Sequence, residues 1–285
     1  TINIVNVWDL TAYESTLSEI KGFGYSMNTF SLFDLCGHVA WGYVLIVGIG
    51  EFIIPINGIG AQIIHIFMGM ITLNCFDDIV RMLFPYTKKM ERSLYVIAFG
   101  VSPLFLGLNH YISLDYGVLC FLVWMVCSHL RKQYILQFFC TFLLCFSKET
   151  GVAVCFTYFF SYYLWKAYIG KEKRLCAFLF SGSIREAFRV VFPALLFCLY
   201  TLVGKGKTWA PPAGGPKTGF FSEYRHILSK LETILLGNFG WCFLLLILLG
   251  AIWTLIYRNK RHNIKDSYIL VLSGCFLGYT VFNFC

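Results

Sequence analysis

Charge is the scarcest property of this sequence. Asp, Glu, Lys and Arg make up 13% of its 285 residues, while 58% are hydrophobic and 19% aromatic. A soluble domain usually carries about twice that charge, because its surface must face water. The absences continue in the chemistry. None of the twelve cysteines forms a C-x-x-C pair, so zinc and dithiol redox sites find no support. Scattered through apolar runs, these cysteines read as small hydrophobes. There is no glycine-rich phosphate loop, Ser-His-Asp set or metal-ligand spacing, and no internal repeat or low-complexity tract. Residues 1–30 are polar and aromatic and lack the apolar core of a signal peptide.

Long apolar runs are what the sequence does have. They fall near 37–55, 57–84, 93–108, 115–128, 134–146, 150–166, 187–203, 237–257 and 267–285. About 20 apolar residues make one bilayer crossing, so the expected fold is all-α, a polytopic transmembrane helical bundle with outer juxtamembrane helices. The net charge of +8 comes from short basic clusters between the runs. They are Lys88, Lys89 and Arg92; Arg131 and Lys132; Lys171, Lys173, Arg174, Arg185 and Arg189; and Arg258, Lys260, Arg261 and Lys265. Basic residues in short loops orient membrane proteins toward the cytoplasm, which accounts for the charge without nucleic acid.

With every cluster cytoplasmic, 93–108 rises, 115–128 returns, 134–146 rises, 150–166 returns and 187–203 rises. The run 37–55 carries Gly42, Gly48, Gly50, Glu51 and Pro55, which suit an interfacial or re-entrant helix better than a crossing. The first crossing is therefore assigned to 57–84. One transmembrane domain results. Residues 1–56 form an outer loop and juxtamembrane helices, 57–203 the core helices, 204–236 an outer loop and 237–285 further crossings. The chain opens on Thr1 and its last apolar run continues to Cys285, so sequence is expected beyond both ends.

Three outer stretches carry polar chemistry. The first is Trp8-Asp9-Leu10-Thr11-Ala12-Tyr13, which sets Asp9 and Tyr13 on one helix face. Asp is common at helix starts, but a partly desolvated carboxylate at the membrane surface is also a stronger base. The second is Asn109 to Asp115, with His110 and an aspartate opening a descending helix. The third is Ser147-Lys148-Glu149-Thr150-Gly151, a charged pair between apolar runs. Either Lys148 and Glu149 neutralise each other, or the Lys148 ammonium meets a phosphate. His65, alone within 57–84, is expected to hydrogen-bond across helices, and Asp77 and Asp78 to pair with Arg81.

In this order the pieces resemble the GT-C glycosyltransferases, the superfamily of protein O-mannosyltransferases, oligosaccharyltransferase catalytic subunits and aminoarabinose transferases. The likeness covers residues 1–165. It rests on Asp9 followed by Tyr13, a His-containing stretch from His38 to Ile54, Asp115 at an outer helix start, and Ser147, Lys148 and Gly151 in the pattern S-K-x-x-G. Val39-Ala40 follows His38 where the family has two prolines, and Leu10 stands where it has a second acidic residue. No metal ligand is therefore assigned, and a divalent cation is left as the open cofactor question.

The resemblance implies an inverting transfer of sugar from a polyprenyl phosphate to an acceptor hydroxyl on a glycan, lipid or protein. The setting it implies is the outer face of a bacterial plasma membrane. Asp9 would be the catalytic base. Tyr13, His38, His110, Asp115, Lys148, Glu149 and Arg225 would bind substrate, with Lys148 facing the leaving phosphate beside Arg225 or Lys205. Two other classes fit a many-helix chain. A lipid-linked polysaccharide polymerase or ligase would lean on Arg225 rather than Asp9. A transporter or flippase would put charge or broken helices at mid-membrane, whereas the charges here flank the runs.

Overall fold

A computed structural model describes residues 41–56, 59–110, 113–169 and 183–204. All regular structure among them is helical. Eight helices follow in order: α1 (Trp41–Ile53), α2 (Ile59–Leu83), α3 (Lys89–Gly100), α4 (Pro103–His110), α5 (Leu114–Leu130), α6 (Tyr134–Cys145), α7 (Glu149–Ile169) and α8 (Ser183–Gly204). The expected runs 237–257 and 267–285, and the outer loop 204–236 beyond Gly204, lie outside the described residues.

Within the described part, α2 is the one helix both long and apolar enough to cross a membrane. Its 25 residues span about 37 Å against a hydrocarbon core of about 30 Å. The 13 residues of α1 reach only about 20 Å. The run 93–108, expected as one rising helix, is two. Hydropathy continues through the break, but the turn at Val101-Ser102 ends α3 and Pro103 opens α4. Proline has no N–H to give an earlier carbonyl and is pre-set for a first helical position.

Helix α1 doubles back on α2 at a glycine crossing. A Cβ on Gly50 would overlap the Gly60 carbonyl oxygen, and a Cβ on Gly60 the Gly50 carbonyl, so only glycine allows the two backbones this approach. Beside the crossing, buried Glu51 accepts the Ala61 backbone N–H at 3.0 Å. That N–H lies in the first turn of α2, where no carbonyl precedes it to serve as acceptor and where negative charge is favoured.

The core is a set of aromatic, aliphatic and cysteine side chains, most of them from α1, α2, α5, α6 and α7, including Tyr43, Met68, Phe121, Leu144 and Tyr158, with Phe105 from α4 and Ala194 and Phe197 from α8. Helix α5 sits against α2 and α6, and α8 against α6 and α7. Thr72 and Thr141 show how hydroxyls in this apolar setting are satisfied, locally or across helices. Thr72 donates to the Met68 carbonyl at 2.7 Å and accepts the Trp124 indole N–H at 2.9 Å.

The side-chain contacts define two ends of the bundle. At one, Arg92 reaches Asp77 at 2.6 Å, Arg81 reaches Asp78 at 2.6 Å, and Arg131 from the end of α5 also meets Asp78. The pairing expected for Asp77 and Asp78 with Arg81 is thus divided: Arg81 takes Asp78, and Asp77 is held by Arg92. Lys88, Lys89 and Lys132 flank these helix ends, and Arg189 near the start of α8 lies over Tyr134 at the start of α6. At the other end, the Gly42 N–H at the start of α1 donates to the Phe146 carbonyl after α6, and Trp41 meets Tyr200 late in α8.

Candidate functional site

The second end holds the polar residues that sequence reasoning singled out and that can be described. Helix α5 starts there because Ser113, in extended conformation, caps it: its Oγ accepts the Asp115 N–H at 3.3 Å. Asp115 falls in the first turn, the favoured place for an anion. Helix α7 starts beside it. The glycine of the S-K-x-x-G pattern has a steric role here, since a Cβ on Gly151 would overlap the Leu144 carbonyl oxygen of α6. Glycine lets α7 fold back closely over the end of α6, which brings Lys148 toward α5.

Asp115 and Lys148, 33 positions apart, meet. Lys148 Nζ lies 2.8 Å from Asp115 Oδ1 and 3.1 Å from Oδ2. The Lys148 side chain is 22% exposed and that of Asp115 45% exposed, so the pair is open to a ligand on one side. A positive side chain just before a helix start opposes the helix dipole. The Asp115 carboxylate offsets that mismatch, and so would any anion brought between the starts of α5 and α7. Next to the pair, Ser147 is buried with its hydroxyl donating to the Leu143 carbonyl at 2.6 Å. The Thr150 hydroxyl is buried without a hydrogen-bond partner.

Beneath the pair lies a network whose key residue, Tyr43, was missed in the sequence. The Ser113 N–H donates to Tyr43 Oη at 3.1 Å, and Tyr43 Oη contacts His65 Nε2. His65 Nδ1 faces the Asn109 carbonyl at 3.4 Å, and Tyr116 Oη donates to the His65 carbonyl at 3.0 Å. One proton arrangement satisfies the line: Ser113 N–H gives to Tyr43, the Tyr43 hydroxyl gives to Nε2 of a neutral His65, and Nδ1–H gives to Asn109. His65 thus makes the cross-helix bond expected of it from the sequence. Together with Tyr43 it clamps both ends of the link from Asn109 to Ser113, and so sets where Asp115 begins α5. A tyrosine among glycines and aliphatics gives no sequence signal of this role.

The remaining proposed site residues are not brought together by anything described. His110 closes α4 and Glu149 opens α7, but their side chains lie outside what is described. Asp9, Tyr13, His38, Lys205 and Arg225 lie outside the described residues altogether. Among the described residues, no three His, Cys, Asp or Glu side chains gather in a metal-binding group. No protein-family model, curated protein or solved structure matches the chain.

Proposed function

We propose that this chain is a polytopic membrane glycosyltransferase of the GT-C type, moving a sugar from a polyprenyl phosphate to an acceptor hydroxyl at the extracytoplasmic face. Support for the membrane setting begins with the exterior. Large apolar side chains stand exposed on α2 (Ile66, Phe67, Met70), α3 (Leu94, Ile97), α6 (Ile135, Phe139) and α8 (Leu195, Leu199). Apolar surface on so many sides is far more than a monomer holds against water, and it suits hydrocarbon. The unequal ends add a direction. Basic residues gather at the end holding Asp77 and Asp78, the composition retained in the cytoplasm. The Asp115–Lys148 end is then external.

The meeting of Lys148 and Asp115 at two neighbouring helix starts carries the enzymatic reading. Once a phosphate takes the Lys148 ammonium from the Asp115 carboxylate, the ammonium and the backbone dipoles both favour it there. In the proposed reaction, the acceptor oxygen attacks the anomeric carbon as the bond from that carbon to the phosphate oxygen breaks. The bonding pair leaves with the phosphate, where Lys148 stabilises the growing charge. The acceptor proton passes to the Asp9 carboxylate, the base that the family likeness assigns. One displacement at the anomeric carbon inverts its configuration. Before donor arrives, Asp115 keeps the Lys148 side chain in place.

The test is transfer of radiolabel from a polyprenyl-phosphate sugar by the full chain in membranes. Asp9→Asn is expected to abolish transfer and leave the helical content unchanged. Full transfer by that variant would remove Asp9 from the mechanism. Loss in Arg225→Ala with Asp9→Asn unaffected would favour a polymerase or ligase.

A further inference from the structure

At the opposite, basic end, Arg189 is held on an aromatic ring and has no counter-charge among the described side chains. Arg189, in the second turn of α8, lays its guanidinium over the Tyr134 ring, with Cζ 3.7 Å from the ring centroid. Its Nη1 is buried and has no hydrogen-bond partner. Among the described residues no carboxylate pairs with Arg189, although Arg81, Arg92 and Arg131 at the same end each have one. Lys132 is exposed two positions before Tyr134 and likewise has no carboxylate partner among the described residues. Its backbone sits at φ 59°, the left-handed region that side chains other than glycine rarely adopt. The turn from α5 to α6 therefore keeps a lysine where glycine would be easier.

Below these charges the surface is apolar and outward-facing. Ile135, Phe139 and Phe188 are each more than half exposed. Phe188 stacks on Phe192, which packs on Phe138 of α6, so the apolar strip is continuous with the helices that carry the two cations.

We infer that Arg189 over the Tyr134 ring, with Lys132 in the turn two positions before that tyrosine, forms a binding site for the phosphate headgroup of an anionic membrane phospholipid, whose acyl chains lie along Ile135, Phe139 and Phe188. The inference rests on the membrane part of the proposed function and is independent of the transfer chemistry. A guanidinium already fixed on an aromatic face loses little freedom on meeting a phosphate and presents its donors in fixed geometry. Basic pockets between helices on the cytoplasmic side suit anionic headgroups. A bilayer headgroup supplies a negative charge that no described side chain gives Arg189.

Native mass spectrometry of the full chain in mild detergent, titrated with phosphatidylglycerol or phosphatidylcholine, tests the site. Phosphatidylglycerol is expected to be retained preferentially. Arg189→Gln and Lys132→Gly should each weaken it by about fivefold, the factor for one charge near a lipid surface. Lys132→Gly also relieves the backbone of the turn, so its loss of lipid cannot be ascribed to misfolding. Equal retention of both lipids, or no change in either variant, would overturn the site. Displacement of the lipid by millimolar inorganic phosphate would make it a site for free anions and overturn the lipid assignment. A chain released from cell membranes by alkaline wash would instead overturn the membrane reading itself.

Discussion

Lys148 Nζ sits 2.8 Å and 3.1 Å from the two carboxylate oxygens of Asp115, joining the start of α7 to the start of α5. A pair this exposed contributes little to folding, since ion pairs open to water are worth about 0.2–1 kcal/mol. Asp115→Asn is therefore expected to move the thermal midpoint in detergent by only a few degrees while reducing sugar transfer much more. A large loss of stability with transfer unchanged per folded molecule would make the pair a structural strut.

The bond from the Ser113 N–H to Tyr43 Oη gives a test that needs no activity. Tyr43→Phe removes the acceptor and the donor to His65 together. Losing a bond of about 1 kcal/mol should speed amide exchange at Ser113 by about fivefold. Hydrogen exchange read by mass spectrometry over residues 109–116 is the measurement, with the basic end as internal control. Unchanged exchange would mean that Tyr43 does not hold the turn.

The crossing of α1 and α2 depends on glycine at one contact. Gly60→Ala places a Cβ on the Gly50 carbonyl and on the α1 backbone, neither of which can move aside like a side-chain tip. A destabilisation of about 1–3 kcal/mol is expected. Gly107→Ala in α4 meets nothing within 4 Å, and should be neutral or stabilise by up to about 1 kcal/mol. Thermal unfolding of the two variants side by side checks the contrast.

The direction of the bundle is open to labelling with a membrane-impermeant thiol reagent. Lys88→Cys, beside the basic cluster, is expected to react only when the cytoplasmic side is exposed. Ile56→Cys, in the exposed turn between α1 and α2, is expected to react from outside intact cells. The reverse pattern would put the Asp115–Lys148 pair in the cytoplasm and end the proposed reaction.

The helical part of the fold was legible because apolar runs of helical length mark where helices lie. The run 57–84 became α2 within two residues, and 134–146 became α6 within one. The break before Pro103 was not read, since hydropathy is blind to backbone geometry, although a proline at a helix start was the available signal. At the site, the sequence marked Asp115 and Lys148 separately but paired Lys148 with its neighbour Glu149 as one option. The contact with Asp115 follows from how α7 folds over α6 at Gly151, a tertiary fact. Arg131 reaching Asp78 across 53 positions was hidden for the same reason, whereas Arg81, three residues along one helix, was visible.

Transfer from a radiolabelled polyprenyl-phosphate sugar at saturating donor, compared between the natural chain and Lys148→Ala, bears most directly on the role given to this end of the bundle. Removing a cation that stabilises the departing phosphate is expected to lower kcat by about 10²-fold, with helical content and membrane retention unchanged. A variant that turns over at the natural rate would contradict it.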